Sequence, residues 1–149
     1  MDDIDRQILE IVQRDSHMAH AEIGRRVGLS VSSVNERVRK LHRTGVVRAW
    51  SADVDPAALG LNLLAFIHIQ IDKPERNAAF LKAATALPEV LECHHVTGEW
   101  NYLLKVRVHT TAELESLITN KLKTLRGVAR SSTVIVLTSP KETAVLPVR

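Results

Sequence analysis

The chain has 149 residues, 45% hydrophobic and 3% aromatic, with a formal net charge of +3 and a pI near 9.3. That bounds it to one large or two small globular domains with cores of Leu, Ile, Val and Ala. A single cysteine, Cys93, excludes an internal disulfide framework. No apolar run reaches membrane-span length and Met1-Asp2-Asp3 does not open a signal peptide, so a cytoplasmic protein with no membrane partner is expected.

The first predicted element is a helix from Asp5 to Arg14, with Ile4, Ile8, Ile11 and Val12 on one face and acidic residues at its start, where the helix dipole favours them. A short second helix, about His20 to Val27, turns Ile23 and Val27 inward and Arg25 and Arg26 outward. Gly28-Leu29 makes a tight turn. Ser30 is a good N-cap for a third helix that Gly45 closes. In that third helix Val34, Val38 and Leu41 form a narrow apolar stripe, while Ser32, Ser33, Asn35, Glu36, Arg39, Lys40 and Arg43 occupy the rest.

Three short helices with a glycine turn before the last describe a helix-turn-helix. From Glu22 to Arg48, seven Arg and Lys stand against Glu22 and Glu36, the local basic patch that nucleic-acid binding requires. Arg39, Lys40 and Arg43 are the leading phosphate contacts, followed by Arg25 and Arg26. Ser30, Ser32, Ser33, Asn35 and Glu36 lie where a helix would enter a major groove; Asn pairs with adenine and Glu accepts from cytosine. Arg37 belongs to the same candidate set, but it sits near the buried edge, where an ion pair with Glu22 or an acid of the first helix is equally open. Val46 to Ala52 is rich in β-formers and reads as a strand, the wing of a winged helix. The first domain is thus residues 1–52, followed by a linker at 53–60 that holds Pro56.

Residues 61–149 read as a second domain. Strands are predicted at Leu63 to Ile71, Val90 to Thr97, Tyr102 to Val108 and Val128 to Leu137, with helices at Glu75 to Leu87 and Glu113 to Leu125. The order βαββαβ is ferredoxin-like, so the class is α+β. Two helices cover one sheet face. Leu63 to Ile71 and Val134 to Leu137 are apolar on both alternations, which calls for a second copy over the other face and a homodimer. A twofold axis suits a palindromic duplex.

Cys93, His94 and His95, with His68 and His109, invite a metal reading, but adjacent strand residues point to opposite faces, so His94 and His95 are poorly placed to share an ion and no metal is expected. No nucleophile–base spacing and no glycine-rich phosphate loop occurs, so neither enzymatic chemistry nor a cofactor is expected.

Three stretches carry a family resemblance: Asp2-Asp3-Ile4-Asp5-Arg6-Gln7-Ile8-Leu9; Gly28-Leu29-Ser30 with Arg37-Val38-Arg39-Lys40-Leu41 and Gly45-Val46-Val47; and Val96-Thr97-Gly98-Glu99-Trp100-Asn101-Tyr102-Leu103-Leu104. In order and spacing they resemble the leucine-responsive regulatory protein / asparagine-operon regulator (Lrp/AsnC) family of bacterial and archaeal transcription factors. The resemblance implies an N-terminal domain on double-stranded DNA, a C-terminal domain that dimerises and binds a small effector, usually an amino acid, and further assembly, often to octamers. It also implies a nucleoid-associated location. By resemblance the effector pocket is Thr97, Gly98, Trp100 and Asn101, with Ser131 and Thr133 on the last strand. Three positions depart from the pattern: Ala19 replaces a serine-like cap, Gly24 sits inside the second helix, and Asn101 stands where the family usually has aspartate. An amide supplies no charge for an ammonium group; Glu99 is the nearest replacement anion. The competing expectations are an effector-independent architectural protein that wraps DNA, and a sensor domain that regulates an enzyme through protein contact.

Overall fold

The computed structural model describes residues 1–148, in two compact units. The first comprises residues 1–53 together with the tail from Lys141; the second is Val54–Pro140.

In the first unit, α1 (Asp3–Arg14), α2 (His20–Val27) and α3 (Val31–Arg43) enclose Ile8, Leu9, Val12, Ile23, Val34 and Leu41. Each helix end follows from its residues. Asp2 and Asp5 form a capping box at α1: the Asp5 amide donates to Asp2 Oδ1 at 2.8 Å and the Asp2 amide to Asp5 Oδ2 at 3.2 Å. Ser30 caps α3 by accepting the Ser33 amide at 3.2 Å. Ala19 opens α2 with no side-chain hydrogen bond.

Gly28 closes α2 in the left-handed conformation, φ 71°. The turn it makes folds back tightly: the Leu29 amide donates to the Gly24 carbonyl at 2.9 Å, and a Cβ on Gly24 would meet the Leu29 carbonyl oxygen at 2.5 Å. Glycine within this helix, a propensity cost of about 1 kcal/mol, is therefore what allows the turn to close.

Arg37 ties α3 to α1. Its Nη1 donates to Asp2 Oδ2 and to Asp5 Oδ1, both at 2.7 Å. Asp5 is only 4% exposed. Burial pushes its carboxyl up, but the Arg37 guanidinium and the Asp2 amide outweigh that and hold it below the usual carboxylate range.

One expectation is corrected here. Residues 46–52 form no strand, because a strand needs a ladder partner and the described chain offers this segment none. The second domain is expected at 61–149; the described tail residues 141–148 pack with the first unit. Gln13 in α1 holds the tail through its side-chain amide, accepting from the Leu146 amide at 2.8 Å and donating to the Leu146 carbonyl at 3.3 Å, and Val148 packs against the first core.

In the second unit a 3-10 turn, Pro56–Leu59, precedes β1 (Leu63–Ile71). A second 3-10 turn, Pro74–Arg76, leads into α4 (Asn77–Ala84); β2 (Val90–His95), β3 (Tyr102–Val108), α5 (Thr111–Ser116, continuing as a π-helical turn Leu117–Leu122) and β4 (Val128–Ile135) follow. The sheet order is β2-β3-β1-β4, antiparallel throughout, as the ferredoxin-like reading requires. Strand alternation sends Ala65, Ile67, Ile69 and Ile71 of β1, with Tyr102, Leu104, Val106 and Val108 of β3, to the face packed by Phe80, Ala84, Leu114, Leu117 and Leu122. The opposite alternation carries Phe66, His68 and Gln70 on β1, Leu103, Lys105 and Arg107 on β3, and Val134, 53% exposed, on β4. This face is more polar than its apolar-run reading implied: Glu92 and Lys105 pair across it at 3.2 Å. β4 ends at Ile135, leaving Leu137 beyond the sheet and 95% exposed.

Two outcomes follow for the first unit. Gly24→Ala is expected to destabilise it by about 1–3 kcal/mol in thermal unfolding, the usual cost of forcing an atom into a filled space, although alanine is the better helix former. Asp5→Ala is expected to cost about 1–3 kcal/mol by stripping Arg37 and the Asp2 amide of an acceptor. Because the Asp5 carboxyl is depressed in the folded chain, its contribution is complete above the ordinary value of 3.8 and fades as pH falls through the folded value. Unfolding followed from pH 6 to pH 2 should accordingly show a shallower acid limb in Asp5→Ala.

Candidate DNA interface and effector loop

The helical repeat sorts the side chains of α3. At about 100° per residue, Ser32, Glu36, Arg39 and Arg43 fall within about 60° of one another, with Asn35 and Lys40 flanking them. Val34, Arg37, Val38 and Leu41 fall on the opposite side. Burial agrees: Ser32, Glu36, Arg39, Lys40 and Arg43 are exposed, Asn35 and Ser33 half-buried, Val34 and Leu41 buried. Arg39, Lys40 and Arg43 make no ion pair with any described residue, so three uncommitted cations lie toward the C-terminal end of one exposed face. Ser30 has its hydroxyl within 3.0 Å of Ser32 Oγ and 2.9 Å of Ser33 Oγ, a small hydroxyl cluster at the helix start.

Three other members of the expected set stand differently. Arg37 faces α1, engaged by Asp2 and Asp5, and leaves the exposed stripe; its ion-pair reading is the one the geometry supports. Arg25 and Arg26 share the carboxylate of Glu22, Arg26 through Nε at 3.0 Å. The Arg26 hydrogen bond, chief among its partners, holds Glu22 below its usual range, so the cluster is ionised at neutral pH and carries one net positive charge rather than two. A concavity of about 540 Å³ lies within this unit, lined by Val12, His20, Ile23, Val38 and Trp50 among others.

In the second unit, Thr97 to Asn101 connect β2 to β3. Gly98 adopts φ 106°, a conformation that favours glycine. Asn101 pins the loop: its amide donates to the Ile69 carbonyl at 2.9 Å, its carbonyl accepts from Val96 at 3.0 Å, and its Oδ1 accepts the Ile71 amide at 2.7 Å. Trp100 lies with its ring centroid 5.7 Å from that of His68, and the Arg130 guanidinium sits 4.8 Å above it. Arg130 also donates through Nε to Gln70 Oε1 at 3.0 Å and pairs with Glu99.

Ser131 and Thr133 do not join this cluster. They stand opposite Ile69 and Ile67, on the helix-covered alternation, whereas Arg130 stands opposite Gln70 on the other. Sequence reasoning missed Arg130, His68 and Gln70. The polar pair at 68 and 70 in an apolar strand was a usable signal; the face of Arg130 depends on register, which sequence leaves open. Among the described residues, no three His, Cys, Asp or Glu side chains gather as a metal-holding group, and no helix is long and apolar enough to cross a membrane.

The AsnC-type helix-turn-helix domain matches residues 1–42, and the Lrp/AsnC ligand binding domain matches residues 64–146. HTH-type transcriptional regulator FL11 of Pyrococcus furiosus is 36% identical over 149 residues, covering 100% of this chain and 97% of its own. A transcriptional regulator from Neisseria meningitidis, solved as its L-Met complex, superposes with a TM-score of 0.94 at 30% identity, over 99% of this chain and 96% of that one. A feast or famine regulatory protein from Mycobacterium tuberculosis, complexed with L-methionine, gives 0.92 at 34% identity, over 99% of both chains. A helix-turn-helix with a free cationic face, a ferredoxin-like sheet and a full-length likeness to such regulators agree: the chain belongs to the Lrp/AsnC family of DNA-binding transcriptional regulators.

Proposed function

We propose that α3 docks in the major groove of a palindromic operator, that the chain works as a homodimer or a higher even oligomer such as an octamer, and that a small effector, an amino acid, bound at residues 97–101 changes its assembly or DNA affinity. The observation that carries the DNA reading is the exposed stripe of α3 with its uncommitted Arg39, Lys40 and Arg43. Backbone phosphates need such cations, and base edges need the amide, hydroxyl and carboxylate ahead of them. Ser32, Asn35 and Glu36 are the base-reading candidates. Arg25 and Arg26 are weaker phosphate contacts because Glu22 competes for them. The oligomeric reading rests on a sheet whose second face has no helix over it. The effector reading is supported by two neighbours solved with L-methionine.

A second reading has one observation in its favour. Asn101 carries no charge, and its oxygen already accepts the Ile71 amide. With no anion at that position, the protein would wrap DNA without answering to an amino acid.

Arg39→Ala is expected to weaken binding to operator and unrelated duplexes alike and to lower the salt slope of log affinity by about one unit, as loss of one phosphate contact does. Fluorescence anisotropy across a salt series measures both; an unchanged slope would put the docking face elsewhere. Calorimetry with the twenty amino acids separates the two effector readings. Heat from the unaltered chain supports modulation, while heat only after Asn101→Asp favours the architectural role.

A further inference from the structure

The anion that an amino-acid ligand requires does not stand at position 101. Asn101 Oδ1 is taken up by the Ile71 amide at 2.7 Å, so that side chain has a structural task and brings no charge. The carboxylate in the same loop is Glu99, and it is paired with Arg130. Arg130 is held from three sides: Nε donates to Gln70 Oε1 at 3.0 Å, Nη2 meets Glu99, and the guanidinium plane lies 4.8 Å from the Trp100 ring.

Resting on the reading that an amino acid binds at this loop, we infer that Glu99 and Arg130 are a zwitterion clamp, the guanidinium taking the α-carboxylate and Glu99 taking the α-ammonium. Charge conservation is the core of the argument. A ligand with one charge would enter this neutral pair and leave one partner unmatched. A zwitterion divides one ion pair into two and leaves none. Opening the pair costs little, because Arg130 and Glu99 are 53% and 64% exposed and exposed pairs add little stability. The planar guanidinium matches a carboxylate with two parallel hydrogen bonds. Gln70 retains its hold on Nε, so the fork is oriented before the ligand arrives. When the guanidinium tilts toward the ligand, the face of Trp100 is uncovered for the ligand side chain, an aromatic surface for an apolar group or for a cation such as the one it carries in the free chain. The ligand class is thus a free α-amino acid with both charges present, in place of its ester, amide or N-acyl form.

The experiment is isothermal titration of the full chain with L-methionine and, in parallel, the other nineteen amino acids. The best-binding amino acid is then repeated as its methyl ester and as its N-acetyl derivative. Glu99→Gln and Arg130→Gln are each expected to weaken binding at least tenfold, with thermal unfolding midpoints unchanged because both side chains are exposed. Each derivative should bind the unaltered chain at least tenfold more weakly than the free amino acid, a result that depends on no variant. If the free amino acid binds but both variants and both derivatives bind equally well, the clamp is overturned and the effector reading survives. If no amino acid produces heat with the unaltered chain, the clamp and the effector reading fall together.

Discussion

The presentation of α3 depends on one close approach, that of the Leu29 carbonyl to the bare Cα of Gly24. A helix-turn-helix works only if the third helix leaves the second at a fixed angle, and this contact fixes it. The turn amide bonds back to Gly24, Gly28 supplies the left-handed step, and Ser30 starts the next helix within two residues. Arg37 secures the outcome from the other side by reaching the α1 capping box. The cations at 39, 40 and 43 are free for an external anion because a different cation, Arg37, performs the internal binding.

Much of this was legible in the chain itself. Ser30, Gly28 and Gly45 marked helix ends through local chemistry, which needs no tertiary knowledge. The apolar spacing of Val34, Val38 and Leu41 oriented α3 correctly. Gly24 reads in the sequence only as a departure from the family pattern, because helix propensity counts only what a residue does to its own helix and not what approaches it from outside. Arg37 could not be settled, since its partners lie more than thirty residues away. The wing failed for a related reason: β-forming composition at Val46 to Ala52 states a preference, and a strand requires a neighbour to bond with.

In the second unit the order of elements was readable, and the pairing was less so. β1 shows its alternation because one side is almost wholly aliphatic. β4 does not, and a shift of one residue exchanges Arg130 for Ser131 on either face. That is why serine and threonine, which resemble pocket residues by type, lie on the helix side, while the arginine beside them reaches Trp100 and Glu99. Asn101 was noticed for the charge it lacks. Its geometry adds what it does: three backbone groups, at Ile69, Ile71 and Val96, are satisfied through this one residue.

The grip of Gln13 on the backbone of Leu146 makes the first unit discontinuous in the polypeptide. A protease that nicked the connecting segment near Pro56 would release an N-terminal fragment that keeps its buried core, Ile8 to Leu41, but no longer carries the tail in the same chain. The released piece would lack the segment that lies along α1, and that segment would stay with the other product.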